Sequence, residues 1–374
     1  MSVHVEENGS PNARRKSVTV VGAGGNIGSH LVPHLGRLPS VERVTLVDPD
    51  IYTDGNLRGQ DITRGDVGRP KVVVQRKRLR QINNALEVDV VADRIEATPL
   101  GRLRADVIVA CLDSREARQS VNQAAWRLGI PWIDAAVDGD RLLARVKVYK
   151  PDTNGPCLEC AWGEVEYALV EQTYPCVDQN AAPATNAPSY LGALAASLQA
   201  VECAKLLHGK PAMSLVDCEV LIDAANHKQY RTAYSRNPHC RFDHRIWQIT
   251  VLDSSPRQLT IGEALHLGRG RADEMCHILR VENDAFVLRL SCTKCGKSQS
   301  VTRLARALRS REKICANCGG VLAALGFDME SQLDARKGQF SGLERRSLAS
   351  LGFRSGDVFA VMDATRESFY QLGV

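Results

Sequence analysis

The stretch that decides the fold reads Ser17-Val18-Thr19-Val20-Val21-Gly22-Ala23-Gly24-Gly25-Asn26-Ile27-Gly28-Ser29. A β-branched run leads into a cluster of glycines, and a helix-like segment follows it. Amides at a helix N-terminus bind phosphate groups, and glycines let the backbone come close to them. The strict G-x-G-x-x-G spacing is not met, because the loop reads G-x-G-G-x-x-G. The stretch therefore predicts a phosphate-binding turn, with these candidate nucleotide-binding residues: Gly22, Gly24, Gly25, Asn26 and Gly28.

Strand-like runs alternate with helix-like segments through the first part of the chain. The runs predicted as parallel strands are 18–22, 43–48, 88–91, 105–111 and 130–134. This alternation indicates a Rossmann-like, doubly wound, mostly parallel α/β sheet, which binds ligands at the carboxyl ends of its strands. The alternating pattern at 142–149 predicts an antiparallel extension of the sheet. A long apolar helix at 190–208 and two strands, 216–222 and 227–233, complete this region.

Polar residues follow the second and fourth predicted strands. Asp48 ends the second strand 20 residues after Gly28 and could accept hydrogen bonds from ribose hydroxyls. Arg58 and Lys71 could neutralise phosphates, and Asp113 could hold Mg²⁺. The glycine loop alone also fits a nicotinamide or flavin site. The polar set favours attack on the α-phosphate of ATP instead, and its remaining members are Asp50, Asn56 and Gln60.

These motifs together resemble the ThiF/MoeB/HesA family, whose adenylate-forming enzymes activate ubiquitin-like and sulfur-carrier proteins. The resemblance covers about residues 17–244. It rests on the glycine loop and on further motifs along the chain: Asp48-Pro49-Asp50, Asn56-Leu57 with Gln60, Asp66 to Lys71, Cys111-Leu112-Asp113 with Arg118 and Asn122, Pro156 to Cys160, and Ser197 to Lys205.

The resemblance implies a homodimer that binds ATP and Mg²⁺ and adenylates the C-terminal glycine of a small β-grasp protein ending in Gly-Gly. By position, Asp48 would bind ribose and Asp113 would coordinate magnesium. Asn56, Gln60 and Lys71 would bind or orient the phosphates.

One departure from the family concerns the arginine. The family pattern is Asn-Leu-x-Arg-Gln, whereas this chain reads Asn56-Leu57-Arg58-Gly59-Gln60, with the arginine one place early. Two alternatives therefore stay open beside the activating enzyme. One is a nicotinamide-dependent oxidoreductase, and the other is a catalytically silent adaptor with the same fold.

Cys176 is a candidate acceptor of the activated protein. It lies in Tyr174-Pro175-Cys176-Val177-Asp178, and family members with a cysteine here can form a thioester or an acyl-disulfide. A thiolate could attack an acyl-adenylate and release AMP. The equally weighted alternative is a loop cysteine without a role.

Two cysteine patterns predict structural zinc. Cys157-x-x-Cys160 forms half a tetrahedral site, and the resemblance implies a second C-x-x-C near the end of the domain. That place reads Cys240-Arg241-Phe242-Asp243-His244. The predicted ligands are Cys157, Cys160, Cys240 and His244, with Asp243 as the alternative fourth.

The second pattern has zinc-ribbon spacing, with Cys292-x-x-Cys295 and Cys315-x-x-Cys318 separated by 19 residues. Four thiolates without an open position indicate a structural role. Basic residues between the pairs could contact an acidic partner or nucleic acid, although a solvated basic surface is the simpler interpretation.

Composition limits the remaining possibilities. A net charge of +5 over 374 residues is too mild to argue for nucleic acid. No apolar run approaches the roughly 20 residues of a membrane span, and the polar start lacks a signal-peptide core. We expect a cytoplasmic protein with a disordered tail at 1–16, an adenylation domain at 17–245 and an appended α+β module at 246–374. That module would recruit the ubiquitin-like protein or a conjugating enzyme.

Overall fold

The computed structural model describes residues 16–152, 154–171, 187–267, 276–282, 284–337, 340, 342–363 and 366–373. Its residues fall into two compact units, which are Met1–Thr98 with Leu103–Ile246, and Pro99–Arg102 with Trp247–Val374. None of the helices in the described ranges is long and apolar enough to cross a membrane.

The first unit is built on an eight-stranded sheet. Its strands are β1 (Lys16–Val21), β2 (Val41–Val47), β3 (Glu87–Val91), β4 (Val107–Ala110), β5 (Trp132–Asp138), β6 (Leu143–Tyr149), β7 (Cys218–Asp223) and β8 (Lys228–Ala233). The strand order is β3-β2-β1-β4-β5-β6-β7-β8. Strands β1 to β5 pair in parallel, and β6 to β8 continue the sheet antiparallel. The predicted α/β fold with its antiparallel extension is therefore confirmed.

Four helices pack on this sheet: α1 (Gly28–Leu35), α2 (Lys71–Ile82), α3 (Arg115–Leu128) and α5 (Ser189–Leu207). A further helix, α4 (Glu164–Glu171), lies between β6 and α5 in the sequence. The main core joins α1 and α5 to the sheet through buried aliphatic side chains, among them Leu31, Leu35, Leu191, Val20 and Val109. The order of strands reverses between β1 and β4, so their carboxyl ends open a crevice in which such sheets bind ligands.

The second unit contains two smaller sheets. Its strands are β9 (Ile249–Val251), β10 (Ile278–Arg280), β11 (Phe286–Cys292), β12 (Ser298–Leu304), β13 (Leu322–Ala323), β14 (Met329–Glu330), β15 (Gln332–Asp334), β16 (Val358–Met362) and β17 (Glu367–Gln371). One sheet runs β15-β10-β16-β17-β9, and the other is β12-β11-β13 with β14 also on β11. The short helices are α6 (Ile261–His266), capped by Thr260, and α7 (Leu348–Leu351).

One segment of this unit differs from what its composition indicates. Residues 326–346 are rich in glycine, serine and charge, a composition typical of a loop, yet they contain β14 and β15. Strand β15 forms because it pairs antiparallel with β10, where Leu279 and Leu333 are both buried.

Candidate nucleotide site and metal-ligand clusters

The glycine loop is tightly packed against the carboxyl ends of three strands. Gly22 has φ +79°, a conformation that favours glycine, and its N–H donates to Val47 O at 2.9 Å. A side chain at Gly22 would collide with the carbonyl oxygen of Cys111, and one at Gly28 would collide with Gly22 itself. These positions therefore accept only glycine, and the loop stays close to the strand ends.

Asp48 connects this loop to the end of β2. Its Oδ2 accepts from Gly24 N at 2.9 Å, and its Oδ1 accepts from Asp50 N at 3.0 Å. The carboxylate is almost completely buried, and burial raises the pKa of Asp48, while the nearby Lys71 charge opposes that rise. Each carboxylate oxygen has a further lone pair. Asp48 can therefore hold the loop and still accept a hydrogen bond from a ligand hydroxyl.

Lys71 brings a positive charge to the same edge. It is the first residue of α2, its side chain is buried, and its Nζ lies 2.9 Å from Asp50 Oδ2. The carbon stem covers Gly24, where an added Cβ would come within 2.7 Å of Lys71 Cδ. Asp50 is 61% exposed in its side chain, so the ammonium is held by a carboxylate that faces solvent.

Asn26 and Asn56 are engaged in contacts within the protein. Asn26 Nδ2 donates to Gly59 O at 2.5 Å and to Ala187 O at 3.0 Å. Asn56 Oδ1 accepts from Thr53 N at 2.9 Å and so caps the short helix Asp54–Arg58. Both amides organise the loop that follows β2.

The other two side chains of this loop differ in their surroundings. Arg58 is exposed, and Gln60 is half-buried with its Oε1 buried and without a hydrogen-bond partner among the described residues. The side chain of Arg58 is therefore accessible to a ligand. The Oε1 atom of Gln60 accepts no hydrogen bond from the described residues.

The backbone next to Asp113 is held by the ion pair of Arg118 with Asp134, and neither of these residues was a predicted site residue. Asp113 is exposed and follows β4. Arg118 on α3 donates from Nε to Asp134 Oδ1 at 3.0 Å and from its other end to the Leu112 carbonyl. Asp134 is fully buried on β5. The pair therefore fixes the backbone immediately before Asp113, and no local sequence signal links residues 118 and 134.

The first metal-ligand cluster contains Cys157, Cys160, Cys240 and His244, whose ligand atoms all lie within 4.8 Å of one another. Cys157 Sγ is 3.8 Å from Cys240 Sγ, and Cys160 Sγ is 3.3 Å from His244 Nε2. Thiolates about 2.3 Å from a tetrahedral zinc ion lie about 3.8 Å apart. The donor set and its spacing fit structural zinc.

The structure brings His244, and not Asp243, into this cluster. Asp243 instead forms a two-pronged ion pair with Arg127, with N–O distances of 2.5 and 3.2 Å. His244 has φ +55°, and its Nδ1 lies 2.8 Å from Phe242 O, which leaves Nε2 as the acceptor toward the thiols. The unusual backbone conformation is what turns the imidazole inward.

Glu159 lies within the Cys157–Cys160 turn and joins the first cluster to α3. Its carboxylate accepts from Gln119 Nε2 at 2.9 Å and from Asn122 Nδ2 at 3.3 Å. Asn122 Oδ1 in turn accepts from Leu158 N at 3.1 Å. These buried hydrogen bonds hold the Cys157–Cys160 turn on the helix.

The second cluster contains Cys292, Cys295, Cys315 and Cys318, again with all ligand atoms within 4.8 Å. Cys292 Sγ lies 3.5 Å from Cys318 Sγ, and Cys295 Sγ lies 3.8 Å from Cys315 Sγ. Gly296 and Gly319 have φ +70° and +68° and form the two turns after the C-x-x-C pairs. The four-thiolate set fits zinc in the second unit. The remaining candidate, Cys176, lies outside the described residues.

Comparisons with known proteins agree with this geometry. The model of the ThiF family matches residues 2–242. A sulfur carrier protein adenylyltransferase of Thermus thermophilus is 33% identical over 247 residues, covering 62% of this chain and 83% of the relative. Ubiquitin-like modifier-activating enzyme 5 of Culex quinquefasciatus is 28% identical over 162 residues, 40% of each chain. A crystal structure of Escherichia coli MccB with ATP matches in fold, with a TM-score of 0.50 and 24% identity, over 61% of this chain and 67% of that one.

Proposed function

Since this chain belongs to the ThiF family, we propose that it uses ATP to adenylate the C-terminal carboxylate of a small sulfur-carrier or ubiquitin-like protein ending in Gly-Gly. A carboxylate oxygen of the carrier would attack the α-phosphorus of ATP. The bond from that phosphorus to the β-phosphate oxygen would break, and pyrophosphate would leave. The family match also favours ATP over nicotinamide, which argues against an oxidoreductase.

The observation that carries this proposal is the contact of Asp48, Gly24 and Lys71 at the carboxyl ends of β1 and β2. Asp48 would accept a hydrogen bond from a ribose hydroxyl through a lone pair that the loop leaves available. The phosphates would lie along the amides of the Gly22–Gly28 turn. Lys71 would then exchange Asp50 for a phosphate oxygen, because both partners are anionic oxygens.

Arg58 and Asp113 would complete the charge balance. Arg58 is exposed, and its guanidinium would bind a phosphate despite its displaced position in the sequence. Gln60 and Asn56 would orient the phosphates from the same loop. Asp113 offers the oxygen ligand that Mg²⁺ prefers, and a bound Mg²⁺ would neutralise the charge of the departing pyrophosphate. Positioning and charge stabilisation are the main sources of rate in such transfers.

Exchange of labelled pyrophosphate into ATP tests the proposal. The wild-type chain should catalyse exchange only with a carrier that ends in Gly-Gly, and Asp113→Asn should reduce exchange strongly. Exchange that persists unchanged in Asp113→Asn would remove the magnesium assignment. Tight ATP binding without exchange, with every Gly-Gly carrier tried, would favour the silent adaptor.

A thioester at Cys176 would follow adenylation in this proposal. The Cys176 thiolate would attack the acyl carbon, the acyl–phosphate bond would break, and AMP would leave. Cys176→Ala should then keep pyrophosphate exchange and lose the thiol-sensitive adduct with the carrier. An adduct of equal yield in Cys176→Ala would exclude the role. A downstream conjugating enzyme would receive the carrier from this thioester.

We further propose a homodimer that pairs through α5. Tyr190 and Val201 are 66% and 50% exposed, and they lie on one face of the helix because they are eleven residues, or about three turns, apart. Light scattering should give twice the mass of one chain for the wild type. The double variant Tyr190→Asp/Val201→Asp should give the mass of a single chain.

We also propose a cytoplasmic location, because the thiol ligands of both zinc sites suit a reducing compartment.

A further inference from the structure

The second unit carries an exposed apolar pair beside its cysteine cluster. Ile314 and Val321 face each other across a β-bridge and are 58% and 63% exposed. Lys294 lies next to them, because a Cβ at Gly320 would come within 2.9 Å of Lys294 Cβ. We call these three residues, with Arg311 and Lys313, the ribbon face.

Positive charge is concentrated around this face. Between Ala285 and Phe327 the chain has eight lysines and arginines and one acidic residue, Glu312, whereas the whole chain has a net charge of +5. Three of the eight are in ion pairs, which are Arg289–Asp328, Arg303–Glu312 and Arg306–Asp357. The other five are exposed: Lys294, Lys297, Arg309, Arg311 and Lys313.

An apolar centre with a charged rim is the usual anatomy of a protein–protein interface. The positive charge of the rim favours an acidic partner and speeds the association with it. Single-stranded nucleic acid would need aromatic side chains for base stacking. None of the five residues of the ribbon face is aromatic, and the exposed Phe327 is not one of them. The face therefore favours a protein.

We propose that the ribbon face binds the carrier protein itself, through an acidic surface of the carrier with an apolar centre. This inference rests on the proposed adenylation of a Gly-Gly carrier. A Gly-Gly terminus has no side chains, so its tail alone gives the enzyme little by which to recognise its substrate. Binding at a second surface raises the effective concentration of the tail at the nucleotide site.

Charge reversal separates recruitment from chemistry. The variant Arg311→Glu/Lys313→Glu is compared with Lys77→Glu/Arg80→Glu, which makes the same charge change at exposed positions of α2. The ribbon variant should raise the KM for the carrier in pyrophosphate exchange at least tenfold. Its kcat, its KM for ATP and its content of two zinc ions per chain should stay as in wild type. The α2 variant should change none of these.

The apolar pair is tested in the same assay. Val321→Ser should raise the carrier KM several-fold, whereas Val251→Ser, at an equally exposed position on β9, should not. Increasing salt should raise the wild-type KM steeply and the Arg311→Glu/Lys313→Glu KM only slightly, because the screened charges are those of the face.

The outcomes are distinguishable. An unchanged carrier KM in both ribbon variants overturns the inference and leaves the adenylation proposal intact. If the ribbon variants lose the wild-type chain's binding to a 20-nucleotide single-stranded RNA and keep the wild-type carrier KM, the inference is overturned and the face is assigned to nucleic acid. Absence of exchange by the wild-type chain with every Gly-Gly carrier overturns the adenylation proposal and this inference together.

Discussion

Replacing Gly24 with alanine tests whether the glycine loop and Lys71 form one unit. The new Cβ of residue 24 would lie 2.7 Å from Cδ and 2.8 Å from Cγ of Lys71, and closer still to the Cβ of Lys71. Carbon atoms pack best about 3.5–4.0 Å apart. The side chain cannot simply swing away, because its Cβ belongs to the first residue of α2. Either α2 or the loop must move, and overpacking of this kind costs about 1–3 kcal/mol.

The effect should appear in stability and in ATP binding. For a unit of this size, each kcal/mol shifts the melting temperature by about 2–4 °C. Gly24→Ala should therefore lower the melting temperature by several degrees. It should also weaken ATP binding, measured by calorimetry, about tenfold or more, because Lys71 and the Gly24–Asp48 hydrogen bond are displaced together.

Gly25→Ala is the matched control. At Gly25 an added Cβ would lie 3.5 Å from Gly22 O and 3.6 Å from Cys111 O, which is ordinary contact. We expect its melting temperature to stay close to that of wild type. Equal melting temperatures for Gly24→Ala and Gly25→Ala would refute the packing of Lys71 on Gly24.

Three further predictions concern the first zinc site, a partly buried ion pair and the site lysine. His244→Ala should lower the zinc content from two ions per chain to about one. Asp243→Ala should keep two ions, because Asp243 pairs with Arg127. Equal loss of zinc in both variants would contradict this ligand assignment. Hydrogen bonds from Ser17 and Lys16 lower the pKa of Asp106 despite its partial burial, so its stabilisation is present above the unfolded pKa of about 3.9 and is lost as pH falls through the folded value. By urea titration, Asp106→Asn should thus cost about 1 kcal/mol of unfolding free energy at pH 7, and progressively less as the pH falls through the folded pKa; a cost independent of pH would exclude the ionised carboxylate as the cause. Lys71→Met should keep the melting temperature within a few degrees and raise the KM for ATP at least tenfold, and an unchanged KM would remove Lys71 from the phosphate site.

The parallel strands could be predicted because a buried strand has its own local pattern. Each of the five runs predicted as parallel strands overlaps a strand, and the polar residues after β2 and β4 lie where the crevice opens. The strand ends could not be predicted as well. Strand β4 begins at Val107 and not at 105, because Asp106 turns its carboxylate to Ser17 N at 2.9 Å.

Contacts between residues far apart in the sequence could not be predicted. The hydrogen bonds of Asn26 to Gly59 and Ala187 join three loops, so no local pattern indicates them. The Arg118–Asp134 pair joins α3 to β5 in the same way. The sequence predicted His244 as the fourth ligand of the first cluster but left Asp243 open, because the spacing of the motif does not reveal the left-handed backbone at His244.

The intact mass of the carrier after incubation with ATP and Mg²⁺ tests the central proposal most directly. If the chain is a carrier-protein adenylyltransferase, mass spectrometry should find the carrier increased by one AMP or, after transfer to Cys176, the carrier joined to this chain. The increase should require the terminal glycine of the carrier and should disappear with Lys71→Met. An unmodified Gly-Gly carrier, in the presence of wild-type chain that binds ATP and holds both zinc ions, would contradict the account.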